Sequence, residues 1–232
     1  MPAIPFDTRS ARAKQAPFDE MRAQLDLFQS TQNKILSTAS YAQFKQALAG
    51  SDCPLCPLFL GRTHIVVDRG NPNAKVLMIG EGPGENEDLQ AKAFVGRAGQ
   101  LLDELMREIG FDTNQDSLIV NVVKCRPPEN RAPKQEEVNA CNPFLKKQIA
   151  LVKPQIILLL GAVALKHVIE DKKEFSMERE AGTFFDHPDF SGIKFMVLYH
   201  PAFILRDPRK KPVMIEHLKR FKVYWDSTHS DT

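Results

Sequence analysis

The chain has 232 residues, of which 43% are hydrophobic and 26% charged, with a formal net charge of +2. That length allows one domain of ordinary size plus an extension, and the near-neutral total gives no argument for nucleic-acid binding. No apolar run approaches the roughly 20 residues needed to span a bilayer, and the start lacks a signal-peptide core, so a cytoplasmic protein with no membrane partner is expected. Four cysteines in such a compartment do not form a disulfide scaffold.

Residues 1–16 carry Pro, Arg, Lys and Ser without periodicity and read as a poorly ordered tail. From Phe18, the apolar positions Met21, Leu25, Phe28 and Ile35 suit an amphipathic helix. A second helix, Tyr41–Ala49, stops at Gly50. SDCPLCP at 51–57 is a turn-rich knuckle, and Thr63–Asp68 reads as a short edge strand or extended arm. KVLMIGEGPG at 75–84 is a buried strand running into a tight, glycine-rich loop.

Residues 85–96 look irregular, and Leu101, Leu102, Leu105, Met106 and Ile109 then mark one face of a helix ending at Gly110. Ser117–Val123 is the second core strand, with Asn121 its polar residue near the carboxyl end. Pro133 suits the first position of the next helix, whose apolar face includes Val138, Cys141, Leu145 and Ile149. Gln155–Leu160 is the third strand, and Gly161 starts a helix through about Ile169. Residues 171–191 read as loop or hairpin, Ile193–Leu198 as the fourth strand, and Pro212–Trp225 as a closing helix.

Strands alternating with helices imply an α/β fold: a single three-layer domain with a four-stranded, mostly parallel central sheet flanked by helices. Residues 1–50 form an N-terminal tail and helical extension, and 51–228 the domain. Glu81, Asn121 and His200 each stand at or just past the carboxyl end of a strand. Ligands of open α/β sheets bind outside those ends, so one crevice is expected to gather all three. Seven Lys or Arg stand against three acids between His200 and Asp226, a local excess that suits a solvated helix face or a phosphate-contacting surface.

Cys53 and Cys56 are separated by two residues, and Cys125 and Cys141 follow far downstream. Four thiolates from a turn, a loop and a helix suit a metal site, and zinc and a four-iron four-sulfur cluster both accept them. Otherwise Cys141 is a buried apolar position, and Cys53 with Cys56 a redox pair.

The cysteine spacing, GEGPGENED at 80–88, FVGRAGQLL at 94–102, NVVKCRPPENRAP at 121–133 and HPAFILR at 200–206 occur in one order. In these motifs the chain resembles the family 4 uracil-DNA glycosylases, the iron-sulfur type of bacteria and archaea, over about residues 53–225. The resemblance implies a DNA-repair hydrolase that cuts the N-glycosidic bond of flipped-out uracil. It implies a 4Fe-4S cluster on Cys53, Cys56, Cys125 and Cys141, with Phe94 stacking on the base and Asn121 reading its polar edge. His200 would stabilise charge on uracil O2, and the Glu81 loop would face the sugar.

The chemistry of these residue types agrees. A base inside a duplex must be extruded to be attacked, and an aromatic ring gives it a stacking surface. Phe94, among small and polar residues, is expected to be exposed. A carboxamide can pair with uracil N3–H and O4 together, whereas cytosine presents the opposite pattern. His200 and the N–H groups of Gly82 and Gly84 are candidate donors to O2. Glu81 either offsets the cationic sugar or braces its loop. Gly82 stands where relatives in another glycosylase family carry an aspartate, which favours charge stabilisation over a dedicated general base. Glu85, Glu87 and Asp88 are expected to crowd one rim, with Glu87 excluding the thymine methyl. Ile204 and Leu205 form an apolar wedge, while Arg206, Lys210 and Lys211 hold phosphates of the DNA.

The expected partner is uracil-containing DNA, single- or double-stranded, and the expected state a monomer. Two other readings remain: a variant that cross-links covalently to DNA, disfavoured because Lys124–Lys134 contains no histidine, and a non-catalytic nucleic-acid-binding module.

Overall fold

A computed structural model describes residues 26, 29–172 and 174–229. Its strands are β1 (Arg69–Gly70), β2 (Val76–Gly80), β3 (Ser117–Asn121), β4 (Ile156–Leu160), β5 (Phe184–Asp186) and β6 (Lys194–Leu198). Its helices are α1 (29–36), α2 (Tyr41–Ala49), α3 (Glu85–Gln90), α4 (Arg97–Glu108), α5 (Gln135–Val152), α6 (Gly161–Val168), α7 (Met177–Glu180), α8 (Pro201–Arg206) and α9 (Lys211–His229).

The sheet order is β1-β3-β2-β4-β6-β5. The four central strands are parallel, while β1 and β5 add antiparallel edges. The sheet therefore has six strands among the described residues rather than four; the extra two span two and three residues, too short to leave a period in sequence. Every residue of β2, β3 and β4 is buried, as strands covered on both faces require. Leu77, Ile79, Leu118, Val120, Ile157 and Leu159 share a core with residues of α2, α5 and α6. Val76, Met78, Ile119, Ile156 and Leu158 share the opposite core with residues of α4, α8 and α9. The three layers follow from this alternation.

The tail and most of the helix expected from Phe18 lie outside the described residues; 29–36 is helical and buries Ile35. Helix α2 has the expected bounds, and Ser40 caps it with a capping box. Its Phe44 and Leu48 are buried in the α5-side core, so this part of the extension is built into the domain.

Residues 63–68 form an extended arm, tied by Val66 N–H to the Lys124 carbonyl at 2.8 Å, and β1 begins only at Arg69. Residues 85–90, read as irregular, are α3. The helix read from Pro133 instead starts at Gln135 with Lys134 as N-cap, and the expected wedge of Ile204 and Leu205 lies on α8. Within 171–191, read as loop or hairpin, 184–186 form β5 and pair antiparallel with β6, while 177–180 are the helix α7. No helix among the described residues is long and apolar enough to cross a membrane.

Candidate active site

The loops after β2, β3 and β6 open on one cavity of about 600 Å³. Glu81, Gly82, Gly84, Glu87, Phe94, Asn121, His200, Leu205 and Arg206 line it, so the three polar strand ends do converge.

Asn121 ends β3 at 1% exposure, and neither its Oδ1 nor its Nδ2 has a hydrogen-bond partner among the described residues. A buried amide is almost always paired, because losing water without replacement costs on the order of 1–3 kcal/mol. Here the unmet donor and acceptor belong to a cavity-lining side chain. Gly80, beside Asn121 in the parallel register, makes that position possible. A Cβ there would stand 2.4 Å from the Phe94 ring and 2.6 Å from Asn121 Oδ1.

Phe94 adopts a left-handed backbone, with φ of 53°, and its ring centroid is 5.7 Å from that of His200. At 5% exposure it is buried, not exposed as expected: the ring is held against Gly80 and reaches only the cavity. A strained residue kept by its surroundings is a common mark of a functional position.

His200 caps α8, with Nδ1 accepting the Ala202 N–H at 3.2 Å. That bond puts the proton of the neutral ring on Nε2. Burial, aided by the nearby Arg206 charge, lowers its pKa to about 4, so the ring is neutral at pH 7. Gly161, at φ +90°, gives the ring its space; a Cβ would come within 2.8 Å of His200 Cβ.

The Glu81 carboxylate has no hydrogen bond or ion pair among the described residues. Burial raises its pKa, and Arg206 works in the opposite direction. Bracing falls to Glu87, which accepts Gly84 N–H at 3.2 Å and Gly96 N–H at 2.7 Å and so joins the two loops. Two expectations change with that: the Gly84 N–H is engaged, and the Glu87 carboxylate is committed to backbone rather than free to police a methyl group. Gly82 N–H has no acceptor among the described residues. Asp88 is also not on the rim; it is buried and accepts Thr63 N–H and His64 N–H, fastening the arm.

Ile204 is buried at 2% in the core and is not part of an exposed wedge; Leu205, at 38%, is exposed beside the cavity. Helix α8 turns one of the neighbours inward. Lys210 lies 3.8 Å from Glu178 and over the Tyr199 ring, and Lys211 pairs with Glu104 and Glu108, so neither lines the cavity.

Cys53, Cys56, Cys125 and Cys141 line a second, small cavity together with Arg62 and Lys124. All four are free thiols. Arg62 donates to Cys125 Sγ at 3.6 Å, and the Lys124 N–H to Cys141 Sγ at 3.3 Å. Burial raises the pKa of every one of them, to about 11 for Cys125 and about 12 for Cys141. Thiols held this way lose their protons only to a group that supplies positive charge. No three His, Cys, Asp or Glu side chains among the described residues are arranged to hold a metal ion. What fits a cluster is the set itself: four soft donors around one cavity, with two cations to balance thiolate charge.

The model of the uracil DNA glycosylase superfamily matches residues 67–227. Over 174 residues the chain is 42% identical to a type-4 uracil-DNA glycosylase of Thermotoga maritima, covering 74% of this chain and 88% of that protein. It is 39% identical to the type-4 uracil-DNA glycosylase of Saccharolobus solfataricus, covering 73% and 80%. The chain belongs to the type-4 uracil-DNA glycosylases.

Within this type-4 site, several cavity residues were not singled out in the sequence. Arg97, exposed at the start of α4, and Arg131, paired with Glu137 at 2.6 Å, both line the cavity. Arg97 lies inside FVGRAGQLL, so its place in a motif next to a glycine was the available signal. Lys124 gave none, because a lysine reads as surface.

Proposed function

We propose that the chain excises uracil from DNA by hydrolysing the bond between uracil N1 and the deoxyribose, leaving an abasic site. The observation that carries this reading is the buried, unpartnered Asn121 amide at the wall of a cavity that also holds a ring and a neutral imidazole. Uracil N3–H and O4 meet that amide's acceptor and donor, and Phe94 stacks on the flipped base.

As the C1′–N1 bond breaks, its electron pair moves into uracil and positive charge develops on the sugar. His200 Nε2–H and Gly82 N–H stabilise the charge on O2, and fixed donors of this kind often supply the largest share of catalysis. Glu81, without another partner among the described residues, offsets the sugar cation in its carboxylate form and orients the water. The water oxygen bonds to C1′, and its proton ends on uracil or solvent. With glycine at position 82, no carboxylate stands there as a dedicated base.

The four cysteines would hold a 4Fe-4S cluster that fastens the knuckle at 53–56 to the loop at 125 and to α5. Purified protein is expected to be brown, with broad absorbance near about 400 nm. Stoichiometric zinc without that band would overturn the cluster assignment.

Leu205 fills the gap left by the extruded nucleotide, and Arg206 holds a flanking phosphate. Leu205→Ala is expected to slow excision from duplex more than from single-stranded DNA; equal losses on both would remove the wedge from the reading. The chain would work as a monomer, and four cysteines without a disulfide among them suit the reducing cytoplasm.

Incubation with a uracil-containing oligonucleotide followed by alkali tests the function. Strand breaks at uracil are the expected result. A heat-stable shifted band would mean a covalent trap, and retention without either a binding module.

A further inference from the structure

Lys124 is a lysine at 1% exposure, among the largest side chains buried in the molecule. Its ammonium donates to the backbone carbonyl of Asn121 at 2.6 Å, three residues back along the same chain. Its own N–H donates to Cys141 Sγ at 3.3 Å, and its carbonyl accepts from Val66 at 2.8 Å. The residue thus has its main chain on the cysteine site and the arm, and its charged end under the residue at the cavity wall.

Burying an ammonium costs several kcal/mol in lost hydration, which a methionine of similar volume would avoid. The cost therefore marks a task that needs a charge or a donor. Asn121 supplies that task. Its amide has no partner among the described residues, so no hydrogen bond of its own to them orients it. Its position depends on packing around Gly80 and Phe94 and on how firmly its peptide plane is held. The sheet ladder reaches Asn121 as the last residue of β3, and beyond it Val122 N–H bonds to the Gly80 carbonyl at 2.9 Å. A charge-assisted bond to the Asn121 carbonyl is the strongest kind available there.

We infer that Lys124 is a positioning residue for uracil excision, fixing Asn121 from behind through its backbone carbonyl and tying it to the cysteine-bearing segment. It never touches substrate. The inference rests on Asn121 as the uracil-reading amide, and its test separates the two.

The test is a double-mutant cycle on the full chain: single-turnover excision by wild type, Lys124→Met, Asn121→Ala and the double variant, with 400-nm absorbance and thermal midpoint recorded for each. Misplacing a reactive group by about 1 Å can cost on the order of 100-fold, so Lys124→Met is expected to slow excision about 10- to 100-fold in the wild-type background. In the Asn121→Ala background the same change is expected to cost less than about 2-fold, with cluster absorbance retained.

Equal losses in both backgrounds, or a loss that tracks bleaching of the absorbance, would overturn the inference and leave Lys124 a structural residue. If Asn121→Ala itself excises at the wild-type rate, it is the reading of Asn121 that fails. Lys124→Gln, which keeps a donor on a shorter stem, repeats the cycle where Met does not give folded protein. If neither variant folds, the lysine is structural and the inference is lost.

Discussion

Asn121→Ala is expected to reduce single-turnover uracil excision by about 100- to 1,000-fold while leaving folding stability unchanged or slightly higher. The functional loss follows from burying uracil N3–H and O4 without partners, each costing about 1–3 kcal/mol. The stability effect has the opposite sign to most core truncations. Among the described residues neither amide atom of Asn121 has a protein partner, so removing them deletes no hydrogen bond within the protein. Functional sites commonly hold such destabilising groups. Excision kinetics and urea midpoints on the same preparations check both halves. A loss below about 10-fold, or a fall in stability comparable to other core changes, would mean that the amide has a structural partner.

The second large effect is expected at His200. Removing a preorganised donor to a developing oxyanion costs on the order of 100- to 1,000-fold in rate, and His200→Ala should fall in that range. The pH dependence separates a neutral donor from a charged one. The folded-state pKa of about 4 lies below the ordinary imidazole value because of burial and Arg206. Above about pH 5 the neutral, Nε2-protonated ring is then the populated form, and the rate should show no imidazole inflection near pH 6.5. An acid limb is expected from Glu81, whose carboxyl pKa is raised by burial; protonation would remove the charge proposed to offset the sugar cation, so the rate should fall as pH falls. Stability follows the same sign for His200. Between about pH 6.5 and 4 the unfolded chain binds more protons than the native one, so stability held above the unfolded value is lost as pH falls through that window. A wild-type inflection near 6.5 that vanishes in His200→Ala would show a protonated imidazole at work.

Much of this site was legible before the fold. Glu81, Asn121 and His200 could be placed together because each follows an apolar run, and parallel strands put their carboxyl ends on one edge. The four central strands were legible for the same reason, as nearly unbroken apolar runs, and α2 by the Gly50 that ends it. Side-chain direction was not. Glu85, Glu87 and Asp88 look alike in sequence, yet one pairs with Arg126 at the surface, one joins two loops and one is buried against the arm. Those partners lie far away or on backbone, and no local pattern reports them. Ile204 is buried and Leu205 exposed on a six-residue helix, too short to show a period. Lys124 was invisible because composition places lysine in solvent, and only the packed structure reveals an ammonium held beneath Asn121.

The central claim is that one cavity reads uracil by its polar edge and cuts it from DNA. Release of free base from duplexes that differ only in one residue, uracil, cytosine or thymine, tests it most directly. The expected result is multiple turnovers of free uracil with no cytosine released. Release of cytosine at a comparable rate, or no base released from any duplex, would contradict it.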